Sequence, residues 1–213
     1  DLGIVYGDVM DHFRTKERIP GLVDRVNYIT RLFSAEMHVL VRPEINSLAD
    51  LAGKKVNMNT QGTAAAYTGP LVFQRLKIAI KPTFEPHPKV LQDIRKGSEY
   101  AGLVFVTTKP VPPLAAQNWP EGFKLLPVEY ARELEDLYVP AYLEHAEYPK
   151  LIPAGQRVAT IAVPVVLATF NWTPGKERYR RMSRFVDYLF ERLALLQQPP
   201  NDEGWKQVNL AAT

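Results

Sequence analysis

Apolar positions along the chain come in short runs separated by polar turns, and the period of each run predicts its element. Leu2 to Tyr6 is apolar and is closed by Gly7-Asp8, the pattern of a buried strand. Val26 to Phe33 alternates and predicts a second strand, and Met37 to Val41 a third, stopped by Arg42-Pro43. Ser47 to Gly53 reads as a short helix, with Ser47 placed to accept from free amides and Gly53 at the stop. Lys54 to Met58 is a strand. The loop Asn59 to Thr63 then leads into a helix reaching about Lys77, whose buried face carries Leu71, Val72 and Leu76.

Further along, Pro86 to Lys96 holds a helix around Val90, Leu91 and Ile94. Ala101 to Val106 is a continuous apolar strand ending in the polar turn Thr107 to Pro110. A helix near Pro113 to Asn118 precedes a strand from Phe123 to Val128, and Glu129 to Tyr138 reads as helical. Tyr138 to Gln156 has no clear period but holds four aromatic or imidazole side chains, and Val158 to Phe170 is a long strand. Thr173-Pro174 has the composition of a helix start. Met182, Phe185, Val186, Leu189, Phe190 and Leu193 follow it as an amphipathic stripe. Strands alternating with helices imply βαβ units and a parallel sheet, which makes the fold class α/β. The stretch from Lys54 to Val106 carries that expectation most directly, with Val56 and Leu103 to Phe105 fully buried.

The 213 residues suit one large domain or two small ones. Hydrophobic residues are 46% and charged residues 23%, enough for a sizeable core and unlike disordered or fibrous chains. The net charge of +3 is too small an excess to argue for nucleic acid. The absence of cysteine removes disulfide scaffolds, thiolate metal sites and cysteine nucleophiles. No apolar run approaches the ~18 residues of a membrane helix. The chain opens on Asp1 in a strand-like segment and ends on the polar stretch Asn209 to Thr213, so it reads as a piece of a longer chain.

Catalytic chemistry is thinly represented. His12, His38, His87 and His145 have no metal-ligand partner at helical or strand spacing, so no metal and no cofactor is expected. There is no nucleophile elbow, P-loop or dinucleotide fingerprint. Glu133, Glu135 and Asp136 read as a solvated face. Three polar clusters follow strands: Tyr6 to Asp8, Asn59 to Thr63, and Thr107 to Lys109. In open α/β sheets ligands sit beyond the carboxyl ends of strands, so these clusters outline a pocket. Gly62 permits close backbone approach, and the free amides that open the next helix suit a carboxylate or phosphate. An ordinary βα turn with a capping threonine fits the same spacing. Lys109 could form a Schiff base if desolvated, but a surface lysine beside proline is the simpler reading.

Several segments, taken in order, resemble the TAXI family of solute receptors of TRAP transporters. Asp1 to Asp8 resembles that family's "DxAIVQSD" strand end, and Leu32 to Val41 its "LYPEPLHLVV" segment. Ile45 to Asn57 is similar to "IKSLADLKGKRVNVG", a pattern shared by periplasmic binding proteins generally. Ala101 to Pro110 is similar to "DAFFYVGGHPNP". Tyr148-Pro149, followed by Ala159 to Ala168, resembles the return strand "YPG…TVGVPAVLVT". The chain departs from the family in the loop Gln61-Gly62-Thr63-Ala64, which has one glycine instead of two. The family's Pro-Glu falls here on Ser34-Ala35, with Glu36 shifted by one.

The resemblance implies a periplasmic-binding-protein-like fold of type II, with two lobes that each have a mainly parallel sheet flanked by helices. Residues 1–37 and 162–213 would form a first lobe, incomplete because the family's opening elements precede the matched stretch. Residues 38–161 would form the second. The implied function is extracytoplasmic, periplasmic capture of a small organic anion, an acidic amino acid or a dicarboxylate such as a 2-oxo acid. The lobes would close on it by a hinge, and it would pass to a TRAP-type permease without chemistry. The implied ligand-binding residues are Tyr6, Asp8, Glu36, Asn59, Gln61, Gly62, Thr63, Ala64, Tyr67, Thr107, Thr108 and Lys109. Tyr6 and Asp8 would face Gln61 and Thr107. An unpaired edge on the first lobe would recruit a second copy as an edge-paired dimer. Two other classes use this fold: the effector-sensing domain of a LysR-type regulator, and an enzyme acting on a phosphorylated or amine substrate.

Overall fold

The computed structural model describes residues 2–208, so Asp1 of the opening motif and the polar stretch Asn209 to Thr213 lie outside the described residues. In chain order the elements begin with β1 (Leu2–Tyr6), α1 (Gly7–Thr15), α2 (Leu22–Arg25) and β2 (Val26–Val41). Next come β3 (Lys55–Asn57), α3 (Ala64–Arg75), β4 (Lys81–Thr83), α4 (His87–Arg95) and β5 (Tyr100–Thr107). They continue with α5 (Pro112–Ala115), β6 (Lys124–Leu125), β7 (Val139–Glu144) and β8 (Arg157–Phe170), and end with α6 (Glu177–Glu191) and α7 (Leu193–Leu196). Single 3₁₀ turns occur at Leu48–Leu51, Arg132–Leu134 and Glu203–Gln207.

The chain divides into two units. Unit 1 holds the residues up to Ser34 and those from Pro164 onward, and unit 2 holds Ala35–Val163. The chain passes between them twice, inside β2 and inside β8. Two α/β units with two such crossings make this a periplasmic-binding-protein-like fold of type II.

In unit 2, β3 pairs in parallel with β4 and with β5, as the βαβ pattern of residues 54–106 predicts. Val56, Leu103, Val104 and Phe105 are buried. β2 pairs antiparallel with β5 and with β6, and β7 pairs antiparallel with β8. The sheet is therefore mixed, which corrects the expectation of mainly parallel sheets. The physical reason is connectivity. A parallel neighbour needs a crossover helix, and only the stretch from β3 to β5 supplies them. Apolar side chains from β2, β5, α4, α5 and the 143–152 segment close one core, which includes Leu40, Ile94, Leu103, Leu114, Leu143 and Tyr148.

In unit 1, β1 pairs antiparallel with β8, from Leu2 opposite Thr169 to Tyr6 opposite Val165. Its core is small: Leu32, Leu167, Leu193 and Val208, with Ile29, Phe33, Leu189 and Trp205 packed against them. No residue of α6 is buried, so its apolar stripe is only half covered.

Several elements differ from the pattern reading. The two strands expected at 26–33 and 37–41 are one, because backbone pairing continues through the polar Ser34 and Glu36. Gly7 to Thr15 forms α1 rather than a turn. Gly175 at φ +79° delays α6 until Glu177, so Thr173 does not cap it. Residues 129–138 hold one 3₁₀ turn, enough to bury both Leu134 and Tyr138. The irregular stretch after Tyr138 contains β7, drawn into strand by pairing with β8. Ser47 does cap its turn, accepting from the Asp50 amide while the Asp50 carboxylate accepts from the Ser47 amide.

Candidate functional site

The register of unit 2 brings several polar groups to one sheet edge. Because β3 and β5 are parallel neighbours, with Asn57 opposite Leu103, the segments leaving their carboxyl ends emerge on the same side. These are the 58–63 loop and Thr107 to Lys109. The antiparallel β2 enters unit 2 at that same edge, where Glu36 lies opposite Thr107. This is the end of an α/β sheet at which ligands bind.

The 58–63 loop is held from below. The buried Asn57 donates from Nδ2 to the Glu85 carbonyl (3.0 Å), and its Oδ1 accepts from the Glu85 amide (3.0 Å) and the Thr83 hydroxyl (3.2 Å). Asn59, at φ +62°, accepts from the His87 amide at 3.3 Å. Its side chain therefore ties the loop to the start of α4. Thr63 occupies the N-cap position of α3, but its hydroxyl donates to the Thr60 carbonyl (2.8 Å) rather than accepting from the helix. The threonine cap of the ordinary-turn reading is thus not made, and the helix presents its positive end without it. Gln61 and Gly62 are exposed, and a side chain at Gly62 would meet nothing within 4 Å. Ala64 opens α3, and Tyr67 stands partly exposed one turn later.

On the other side of the edge, Glu36 is only 5% exposed and its Oε2 meets no donor among the described residues. Burial pushes its carboxyl up to about 7, against the smaller opposing pull of the Lys109 charge. Lys109 is already engaged. Its Nζ lies 2.9 Å from Glu147 Oε1 and donates to the Tyr142 carbonyl at 2.7 Å. Thr107 and Thr108 are half-buried beside it.

Beneath Glu36 runs a buried hydrogen-bond chain. The Val111 amide donates to Tyr148 Oη (2.9 Å), Tyr148 Oη donates to His38 Nε2 (2.7 Å), and His38 Nδ1 donates to the Glu36 carbonyl (3.0 Å). Burial holds His38 neutral, with its ordinary value lowered to about 3, and raises the Tyr148 phenol well above its usual range. That tautomer satisfies every partner in the chain.

Unit 2 thus holds ten of the expected site residues: Glu36, Asn59, Gln61, Gly62, Thr63, Thr107, Thr108 and Lys109, together with Ala64 and Tyr67 at the head of α3. Tyr6 and Asp8 belong to unit 1. Tyr6 is the N-cap residue of α1, and burial followed by the nearby Asp8 charge raises its phenol. Asp8 is fully buried and accepts from the Val9 amide at 2.8 Å, so it anchors the start of that helix. Sequence reasoning missed His38, Tyr148 and Glu147 as members of the Glu36 neighbourhood. The only available signal was the density of aromatic and imidazole side chains after Tyr138. Among the described residues no cluster of histidines and carboxylates could hold a metal ion, and no helix is long and apolar enough to cross a membrane.

No family model matches the chain, and no curated protein matches it. It is similar to several solved structures. One is the regulatory domain of CcmR from Synechocystis PCC6803 in complex with 2-PG: 13% identity, 89% of this chain and 73% of that one, TM-score 0.45. A second comes from work on glutathione import via GshT and the cystine ABC importer TcyBC of Streptococcus mutans: 18% identity, 86% of this chain and 64% of that one, TM-score 0.44. A third is an ancestral arginine-binding protein bound to arginine: 14% identity, 94% of this chain and 74% of that one, TM-score 0.45. The chain thus spans less than two thirds of the Streptococcus mutans protein and about three quarters of the other two.

Proposed function

We propose that the chain belongs to an extracytoplasmic solute-binding protein that captures a small organic anion for a membrane transporter of the TRAP type. The observation that carries the reading is the single sheet edge of unit 2. There an exposed glycine loop, the uncapped start of α3 and the Thr107 to Lys109 turn lie together. A carboxylate at this edge would accept from the first-turn amides of α3, with Gly62 allowing its approach and the helix dipole favouring its charge. The hydroxyls of Thr107 and Thr108 supply further donors, and Tyr67 an amphipathic wall. Lys109 contributes a charge already shared with Glu147, so it orients the ligand more than it neutralises it. No nucleophile or acid–base pair is assigned, so the reading is binding without turnover. The TRAP assignment rests on the ordered motifs of the sequence, and the ligand class on the amide cradle.

The test is calorimetry with L-glutamate, 2-oxoglutarate and succinate on the natural chain and on Gly62→Asp. The substituted position is exposed with open space around it, but its φ of +85° strains any side chain, so Gly62→Ala is titrated beside it to separate the backbone effect from the charge. The expected result is binding of at least one acid by the natural chain and at least a tenfold loss in the variant, where a like charge enters the cradle. Unchanged affinity in Gly62→Asp would remove this loop from the site.

A further inference from the structure

Resting on the anion reading of this edge, we infer that ligand capture is coupled to the uptake of one proton by Glu36. The geometry gives Glu36 a buried carboxyl that takes a hydrogen bond from its own backbone amide but touches no cation among the described residues. Glu36 is 95% shielded, its Oε2 meets no donor among the described residues, and its backbone carbonyl is taken by His38. The charges that act on the carboxyl come from two segments. Beyond β5, Lys109 attracts it. Beyond β7, Glu147 repels it. Lys109 is itself held by Glu147 at 2.9 Å and by the Tyr142 carbonyl at 2.7 Å. The one ammonium that acts on Glu36 is therefore already paired with another carboxylate.

Among the described residues no further cation acts on Glu36. His38, on the same strand, is buried and neutral, with Nε2 accepting from Tyr148. Tyr148 keeps its phenolic proton. On β8, the buried Thr160 hydroxyl donates to the Met37 carbonyl and carries no charge. The ionised Glu36 thus leaves the cluster with one uncompensated negative charge.

An organic anion bound at the same edge adds a second. Like charges close together disfavour ionisation, so the bound state favours the protonated carboxyl. The step balances simply: the Glu36 carboxylate takes a proton from solvent as the anion arrives, and the charge of the edge is unchanged. Burial has already brought Glu36 to about 7, so a modest further push moves the proton on at physiological pH. Linkage makes the coupling reciprocal, so acidity must strengthen anion binding as much as the anion strengthens protonation.

The experiment is isothermal calorimetry of the natural chain with L-glutamate, 2-oxoglutarate and succinate at pH 6, 7 and 8. Each titration is run in HEPES and in Tris, whose ionisation heats differ. For a tenfold rise in the proton affinity of Glu36, the expected Kd is about fivefold weaker at pH 8 than at pH 6, with roughly 0.4 proton taken up per ligand at both pH 7 and pH 8. Glu36→Gln, which mimics the protonated carboxyl, should bind equally at all three pH values with no proton uptake. The proton count on the natural chain stands even if that variant does not fold. Binding with the same Kd at pH 6 and 8 and no proton uptake would overturn the coupling and leave the anion site intact. Affinity that rises with pH would overturn it as well, and would mark Glu36 as the partner of a cationic group. No binding of any of the three acids would overturn the anion reading and the coupling together.

Discussion

Tyr148→Phe isolates the value of the buried chain that runs from Val111 to Glu36. The phenylalanine ring keeps the edge-on contact with His38, whose centroid lies 5.4 Å away at 75°. Only the hydroxyl is lost, but two buried groups lose their partner: the Val111 amide, a donor, and His38 Nε2, an acceptor. Val111, His38 and Tyr148 are each 3% exposed or less, so bulk water does not replace the hydroxyl. A buried polar group left unpaired costs about 1 to 3 kcal/mol, so the two together predict a loss of about 2 to 6 kcal/mol. With a urea slope of roughly 2 kcal/mol/M, the midpoint for unit 2 should fall by about 1 to 3 M at unchanged slope. The measurement is a urea titration read by hydrogen–deuterium exchange of peptides from residues 35–163, so that unit 2 is followed by itself. A loss below about 0.5 kcal/mol would show that the hydroxyl does not bridge these two groups, and the positioning of Glu36 through His38 would fall with it.

Two further outcomes follow from the same structure. Gly102 in β5 packs against β2 so closely that an added Cβ would lie 2.7 Å from the Leu40 carbonyl oxygen and 3.1 Å from Val41 Cγ1. Gly102→Ala should therefore cost about 1 to 3 kcal/mol by overpacking, read as a lowered melting temperature, and a neutral effect would contradict this register. Stability should also depend on pH through Glu36, which is about 7 in the folded chain against an ordinary 4.5. The folded state then holds the proton more tightly than the unfolded one. Stability is greatest below about 4.5, falls as pH rises towards 7, and levels off above, by about 3 kcal/mol in all. In urea titrations between pH 4 and 8, Glu36→Gln should remove this component of the slope, and an unchanged profile would assign it to other groups.

The order of elements in residues 47–106 was legible because each is punctuated locally. Ser47 and Asp50 form a reciprocal cap, Gly53 and Gly62 take positive φ, and the apolar run at 101–106 is too short and too apolar to be anything but an inner strand. Local chemistry decided those features, so they survive reading in one dimension. The same holds for the polar clusters after β3 and β5, which a parallel pairing brings to one edge.

The rest was settled by pairing and burial. Ser34 and Glu36 interrupt the apolar pattern of β2, yet the strand continues, because backbone hydrogen bonding is indifferent to side-chain polarity. Residues 139–144 have no strand signature of their own and become β7 by pairing with β8. Glu129 to Tyr138 has the composition of a helix but needs only one turn to bury Leu134 and Tyr138. The contrast is sharpest at Glu36. Its place in the sequence suggested a ligand contact. The charges that act on its buried carboxyl, Lys109 and Glu147, lie 73 and 111 positions away in the chain. No periodicity encodes such distances, because a charge acquires its environment only when the fold closes around it.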